Sequence, residues 1–333
     1  MVVKKLLSLV TIGALVVGMV GCGAAKEAEA TKAPVEEKAY EIGITQIVEH
    51  PALDASRNGF IDALKSKGYE DGQKVVLDTQ IAQGDMGTNQ LIASEFVNDK
   101  KDLIFAISTP SAQAAYNATK ETPIMITAVT DAVEAKLVES NEKTGTNVAG
   151  TSDMSPIDKQ IELAVQLLPN AKKIGVLYNT SEVNSGLQVE ILKKVASEKG
   201  LEVIEKGITA TSEIPDGAGA IIGDVDFIYV PTDNLIASSL PIVVDIADKN
   251  GKAVIGSEDN HLKSGALATE GIDYYNLGFQ TGLMAVEVLE GEEVSEMTVD
   301  TLKETKLIIN KSKAEELGIE IPEDVLSKAE LLD

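Results

Sequence analysis

Glu41-Ile-Gly-Ile-Thr-Gln-Ile-Val48, followed by the stretch from Asp54 to Lys67 and then by Lys74 to Ala82, decides the fold of this chain. The first and last segments are short runs dominated by β-branched residues. The middle one puts Phe60, Ile61 and Leu64 on one side of a helix and closes on Gly68. Strand, helix and strand in this order predict a βαβ unit, and therefore a parallel sheet covered by helices. The alternation continues outward. Thr88 to Asn98 reads as a helix, Asp102 to Ile107 as a strand, and Ser111 to Thr119 as a helix. Pro123 to Val129 then reads as a strand and Asp131 to Glu139 as a helix.

Near Asn147 the pattern restarts. Ser155-Pro156 reads as an N-cap with proline at the first helical position, opening a helix that Pro169 ends. Lys173 to Asn179, Glu202 to Ile208, Asp226 to Val230 and Lys252 to Gly256 read as strands. A helix is expected at Asn184 to Lys199, and a helical stretch kinked at Pro241 at Asn234 to Asn250. A last long helix runs from about Tyr274 to Leu289, and Lys306 to Ile309 is a strand. The expected fold is α/β, with two doubly wound parallel-sheet lobes joined by a multi-strand hinge. Lobe one is 40–150 plus about 274–305; lobe two is 151–273 plus about 306–333.

Ahead of Tyr40 the composition changes. Lys4 and Lys5 precede an uncharged apolar run, Leu6 to Val20, which is short for a bilayer span and shaped like the core of a signal peptide. Met19-Val20-Gly21-Cys22 then leads small residues into the only cysteine of the chain. The pattern is that of a lipoprotein, with residues 1–21 removed and a diacylglycerol on the Cys22 thiol. The protein is then expected on the extracytoplasmic face of the cell membrane, at the surface of a Gram-positive cell, anchored rather than spanning. Residues 22–39 offer little apolar surface to offset the cost of ordering and read as a flexible tether.

A hydrophobic content of 44% with 25% charged residues fits a soluble globular class. The net charge is −24, or −26 without Lys4 and Lys5, which argues against nucleic acid and against an electrostatic grip on anionic lipid. Arg57 is the single arginine, so only one bidentate guanidinium is available to a carboxylate. The sequence has no G-x-S-x-G elbow and no P-loop, and His50 and His261 are too few for a metal cluster. Gly217, Gly219 and Gly223 do not lead from a strand into a helix as a dinucleotide loop does. Glu258-Asp259 reads as a solvated pair of loop acids. Neither enzymatic chemistry nor a cofactor nor a metal is expected.

Ligands of open parallel sheets bind beyond the carboxyl ends of the strands. Those ends carry Thr45, Gln46 and His50; Ser108-Thr-Pro-Ser-Ala-Gln113; Thr130-Asp131; Asn179-Thr-Ser-Glu-Val-Asn-Ser185; Pro231-Thr-Asp-Asn234; and Ser257-Glu-Asp-Asn260. Taken singly, such residues cap helices; Asp131 with Glu134 has the spacing of a capping box and Ser111 reads as a cap of its helix. Taken together they line one cleft from two sides. A helix N-terminus with a hydroxyl suits a carboxylate and an opposing Asp suits an ammonium, a pairing that describes an amino acid. The candidates are Gln46, Thr109, Ser111, Thr130 and Asp131 in lobe one, with Tyr178, Asn184, Ser185, Asp233, Asn234 and Asp259 in lobe two. Asp233 is expected to take the ammonium.

Six segments in order carry a resemblance. They are Ser108-Thr-Pro-Ser-Ala-Gln113, Ala128-Val-Thr-Asp131, Gly150-Thr-Ser-Asp153, Tyr178-Asn179 with Asn184-Ser185, Tyr229-Val-Pro-Thr-Asp-Asn234, and Gly265 to Tyr274. The chain is similar, from about Tyr40 to Asn310, to the ABC-transporter substrate-binding lipoproteins of the tryptophan/tyrosine type. It departs from them at Ala132, where proline is usual, and around Gly217 and Gly219. The resemblance implies a type I periplasmic-binding-protein fold with three crossovers between lobes. It implies a monomeric receptor that delivers an amino acid, often aromatic, to a permease driven by a separate ATPase. Thr109, Ser111 and Thr130 would then hold the ligand from lobe one, and Asn184, Asp233 and Asn234 from lobe two. With no tryptophan present, an aromatic ring would stack on Tyr178 or Tyr116. The competing reading is a surface lipoprotein whose main role is adhesion or sensing.

Overall fold

The structure, a computed structural model, describes residues 38–332 apart from Lys303. The leader, most of the tether and Cys22 lie outside the described residues.

The first sheet is built from β1 (Tyr40–Gln46), β2 (Val75–Ile81), β3 (Leu103–Ile107), β4 (Ile124–Val129) and β5 (Val148–Ser152), all parallel, in the order β2-β1-β3-β4-β5. The connections carry α1 (Pro51–Ser66), α2 (Met86–Asn98) and α3 (Thr109–Ala118). β3, β4 and β5 are buried along their whole lengths, as parallel strands covered on both faces must be. Between sheet and helix, Phe60 of α1 stacks on Phe105 of β3 with ring centroids 3.7 Å apart.

The second lobe repeats the plan. α4 (Ile157–Leu167), β6 (Lys173–Asn179), α5 (Val183–Glu198), β7 (Glu202–Ile208), α6 (Ile214–Ile221), β8 (Phe227–Val230), α7 (Asn234–Ser238), α8 (Leu240–Lys249), β9 (Ala253–Gly256), α9 (Asp259–Lys263) and β10 (Ala268–Gly271) give the order β7-β6-β8-β9-β10. The chain then returns to the first lobe as α10 (Tyr274–Leu289) and β11 (Val299–Thr301), which pairs with β5. It ends in the second lobe as β12 (Lys306–Asn310), α11 (Lys311–Glu316), α12 (Glu323–Leu326) and β13 (Glu330–Leu332). The lobes are therefore crossed three times, after β5, β10 and β11. β10 pairs antiparallel with β12, a departure from the all-parallel expectation. The reason is the hinge: β10 runs toward it and β12 away from it.

Other differences have local causes. The expected break at Gly150 falls inside β5, which continues to Ser152. Its Val-Ala-Gly-Thr-Ser sequence is too small and polar to read as a strand, yet it is fully buried. The helix expected at Asp131 to Glu139 stops at one turn. The Asp131 carboxylate accepts from the Val133 and Glu134 amides, and Lys136 then adopts a left-handed φ of 60°. Ser155 does not cap α4; its hydroxyl is buried without a partner and Pro156 takes the cap position. The stretch expected to kink at Pro241 is two helices parted at Ser239, with Pro241 in the first turn of α8.

α10 is fastened to lobe one by backbone proximity. A Cβ at Gly278 would lie 1.9 Å from the Ser56 carbonyl oxygen, and one at Gly59 would lie 2.1 Å from that of Tyr275. Gly278→Ala gains about 1 kcal/mol of helix propensity but forces the helices apart, at a cost of about 1–3 kcal/mol or more. The steric term should win, and the melting temperature should fall by several degrees in a thermal unfolding scan. A rise would show that α1 and α10 separate freely.

Candidate functional site

All parallel strands end at one edge of each sheet, and the loops there meet around an enclosed cavity. Lobe one contributes His50, at the N-cap position of α1, with Leu53 and Ala128. Lobe two contributes Asn184 from the first turn of α5, Thr232 to Asn234 at the start of α7, Ala237, and Glu258 at the start of α9. Two lining residues belong to hinge crossings: Asp153 follows β5 and Tyr274 opens α10. The Tyr274 hydroxyl donates to Asp153 Oδ2 at 2.6 Å, tying two crossings together. The free volume is about 10 Å³, room for about one water. A larger ligand requires the lobes to part.

Backbone distortion shapes the lobe-one wall. Ile126 pairs with Gly150 but Val129 with Ser152, so β4 carries one extra residue, and Ala128 there has a left-handed φ of 54°. Gly150 has a φ of 144°, and a Cβ on it would lie 2.1 Å from the Ile126 carbonyl oxygen. A bulge of this kind re-aims a residue at a strand end, and strain of this kind gathers at functional sites.

Buried polar atoms are normally partnered. Here five such atoms on lining residues are not: both ring nitrogens of His50, Asp153 Oδ1, Asn184 Oδ1 and Glu258 Oε2. Burial pushes the Asp153 carboxyl up to about 6, against hydrogen bonds from Tyr274 and Thr130. Behind the cavity, burial and then the nearby Asp233 push Glu182 up to about 7, although the side-chain amides of Asn179, Asn184 and Asn234 all donate to it. Burial likewise raises Asp233. Glu258 differs. Burial pushes it up, but His261, with Nε2 3.0 Å from Oε1, outweighs that and holds it below the ordinary range. His261 Nδ1 accepts from the Ser257 amide, which leaves the ring proton on the nitrogen facing Glu258. Burial lowers His50.

Of the eleven candidate residues, Asn184, Asp233 and Asn234 line this cavity. Asp233 is already committed: its two oxygens accept from the Ile236 amide at 2.9 Å and the Asn179 amide at 2.6 Å. It is a helix cap that braces β6. Ser185 is buried beside it. Gln46 is engaged with Val48, Asp54 and Arg57. Ser111 donates to Asn89, while Thr109 is buried with its hydroxyl unpartnered. Thr130 supports Asp153, and Asp131 caps its own turn. Asp259 accepts from Asn260 outside the lining. Tyr178 and Tyr116 pack against the lobe cores, and the aromatic residue on the cavity is Tyr274. Sequence reasoning passed over Glu182 and Tyr274 and set Glu258 aside as solvated, yet Glu258 is 2% exposed. His50 and Glu258 could have been found as helix-cap positions directly after strands; Asp153 and Tyr274 meet only through the hinge.

Residues 41–332 match the family of ABC transporter substrate binding proteins. The chain belongs to that family. A tyrosine-binding protein of Clostridioides difficile (strain R20291) is 53% identical over 321 residues, which cover 95% of this chain and 93% of that protein. A Streptococcus pneumonia domain solved in complex with L-Trp is 39% identical, covers 89% of this chain and 100% of its own, and superposes with a TM-score of 0.86. The ligand-free, open structure of a Clostridium difficile substrate binding protein with adhesive properties is 54% identical and covers 89% of this chain and 99% of its own, yet its TM-score is 0.68. The better superposition thus goes with the lower identity. Sequence divergence does not explain that order; the lower-scoring relative is the one described as ligand-free and open. The fold is type I periplasmic-binding-protein-like.

The Asp153 carboxyl titrates at about 6 when folded, against an ordinary value of 3.8. A raised carboxyl favours the folded state below about pH 4, and that contribution is lost as pH rises through 6. A rise of this size corresponds to roughly 3 kcal/mol. Asp153→Asn keeps an acceptor for Tyr274 and cannot ionise. The ligand-free variant should melt several degrees above its parent at pH 8 and together with it at pH 4. Equal melting at both values would mean that water reaches the carboxylate.

Proposed function

We propose that this chain is the extracytoplasmic, lipid-anchored receptor of an ABC importer. It closes its lobes on an aromatic α-amino acid, L-tyrosine foremost, and passes it unchanged to a permease driven by a separate ATPase. The observation that carries this reading is the set of unpartnered acceptors on Asp153, Glu258 and Asn184 around one enclosed cavity. Three acceptors, two of them carboxylates, match the three N–H groups of an ammonium. The aromatic side chain is supported by the tyrosine-binding relative and the L-Trp complex. The anchor rests on Cys22 and the run before it.

A ligand bound only by the folded protein stabilises it by mass action, by about 2.7 kcal/mol at one hundred times Kd. In a thermal-shift screen of the common amino acids, L-tyrosine and L-tryptophan should each raise the melting temperature by several degrees. Sugars or metal ions as the sole stabilisers would overturn the reading. For the anchor, Cys22→Ser should move the protein from the membrane fraction to the medium. Retention of the cleaved variant in membranes would remove the lipid tether.

A second reading, adhesion, is favoured by the adhesive properties of the 54% identical Clostridium difficile protein. Surface binding that persists in a variant unable to bind amino acids would separate that role from transport.

A further inference from the structure

His50 stands out among the lining residues. Its backbone is extended and its side chain makes no cap hydrogen bond to α1. The ring is 7% exposed and borders the cavity; the Asn234 side chain lies beside it, but neither nitrogen makes a hydrogen bond of good geometry. The other lining side-chain donors are spent. Asn184 and Asn234 donate to Glu182, Thr232 donates to Gln188, and Tyr274 donates to Asp153. Neither lysine nor arginine lines the cavity, and Arg57 is held by Asp54 and Gln46.

An amino acid carries its carboxylate on the same carbon as its ammonium. Once the ammonium meets Asp153, Glu258 and Asn184, the carboxylate must lie in the same cavity. Buried among acids without a cation, it would be expelled. We propose that His50 receives the ligand's α-carboxylate and takes up a proton from solvent when the cleft closes on the amino acid.

The charged groups around His50 set the sense of this switch. Burial dominates and disfavours the charged ring without ligand; Glu258, the Asn234 side chain and Asp54 favour its charged form, and His261 opposes it. Asp153 borders the same cavity. A ligand carboxylate adds an anion against the ring and tips it to imidazolium. A lysine would hold its charge in the empty cleft as well; histidine gains it with the ligand.

The inference rests on the amino-acid reading, and one set of measurements separates the two. The chain has only two histidines, so imidazole signals are few. With the full chain and L-tyrosine at pH 7.5, calorimetry in buffers of different ionisation enthalpy should show uptake approaching one proton per ligand. NMR should show the His50 ring turning to imidazolium while His261 holds. His50→Gln keeps an N–H donor without a charge. It should melt like its parent, bind L-tyrosine about tenfold more weakly or worse, and take up no proton. Tyramine, which keeps an ammonium at pH 7.5 and lacks the carboxylate, should bind the parent protein without proton uptake. It tests the assignment even if the variant fails to fold. L-tyrosine binding with His50 still neutral, or proton uptake equal for L-tyrosine and tyramine, overturns the assignment. So does His50→Gln affinity within about threefold of the parent. Failure of both L-tyrosine and L-tryptophan to bind the parent overturns the receptor reading itself, and this assignment with it.

Discussion

The cost of withdrawing carboxylates from water governs the region where the lobes meet. Asp153, Glu182, Asp233 and Glu258 are all buried there. Each unpaired buried ion costs several kcal/mol, so each needs a hydrogen-bonding or charged partner. Asp233 is met by two backbone amides and Glu182 by three asparagine side chains. Glu258 has His261, and Asp153 has Tyr274. What these partners leave unmet is confined to oxygens that border the cavity. The site is an electrostatic debt left open at one place, and the ligand that closes it must bring hydrogen-bond donors.

The fold makes that concentration possible. Parallel strands place all their carboxyl ends at one edge, and two such sheets face each other there. Each lobe is stiff in its own right. Close glycine contacts join α10 to α1, and Glu270 accepts from both Lys159 and Thr305, which holds the third crossing to lobe two. Two of the short crossings carry the lining residues Asp153 and Tyr274.

Much of this was legible in the residues. Alternating β-branched runs and amphipathic stretches placed nearly all the central strands and helices within a few residues, because period and composition are local properties. The six quoted segments pointed to the family and hence to the two-lobed fold. β5 was missed because its small, polar residues become a strand only when neighbours cover both faces. The helix after β4 was overcalled because the Asp131 cap is local, whereas the left-handed Lys136 that ends the turn has no mark in the sequence.

For the site, the sequence alone determined which loops could carry it, since strand ends and cap residues are set by nearby neighbours. It also determined the scarcity of guanidinium groups, one arginine in the whole chain. Only the tertiary structure decided which polar groups are spent and which are free. Asp233 and Glu258 look alike as loop acids, but one is closed off by the amide of Asn179 on a neighbouring strand and the other keeps an oxygen open to the cavity. Tyr274 and Asp153 meet across 121 residues. Burial and hydrogen-bond completion depend on such distant partners, and no local pattern encodes them.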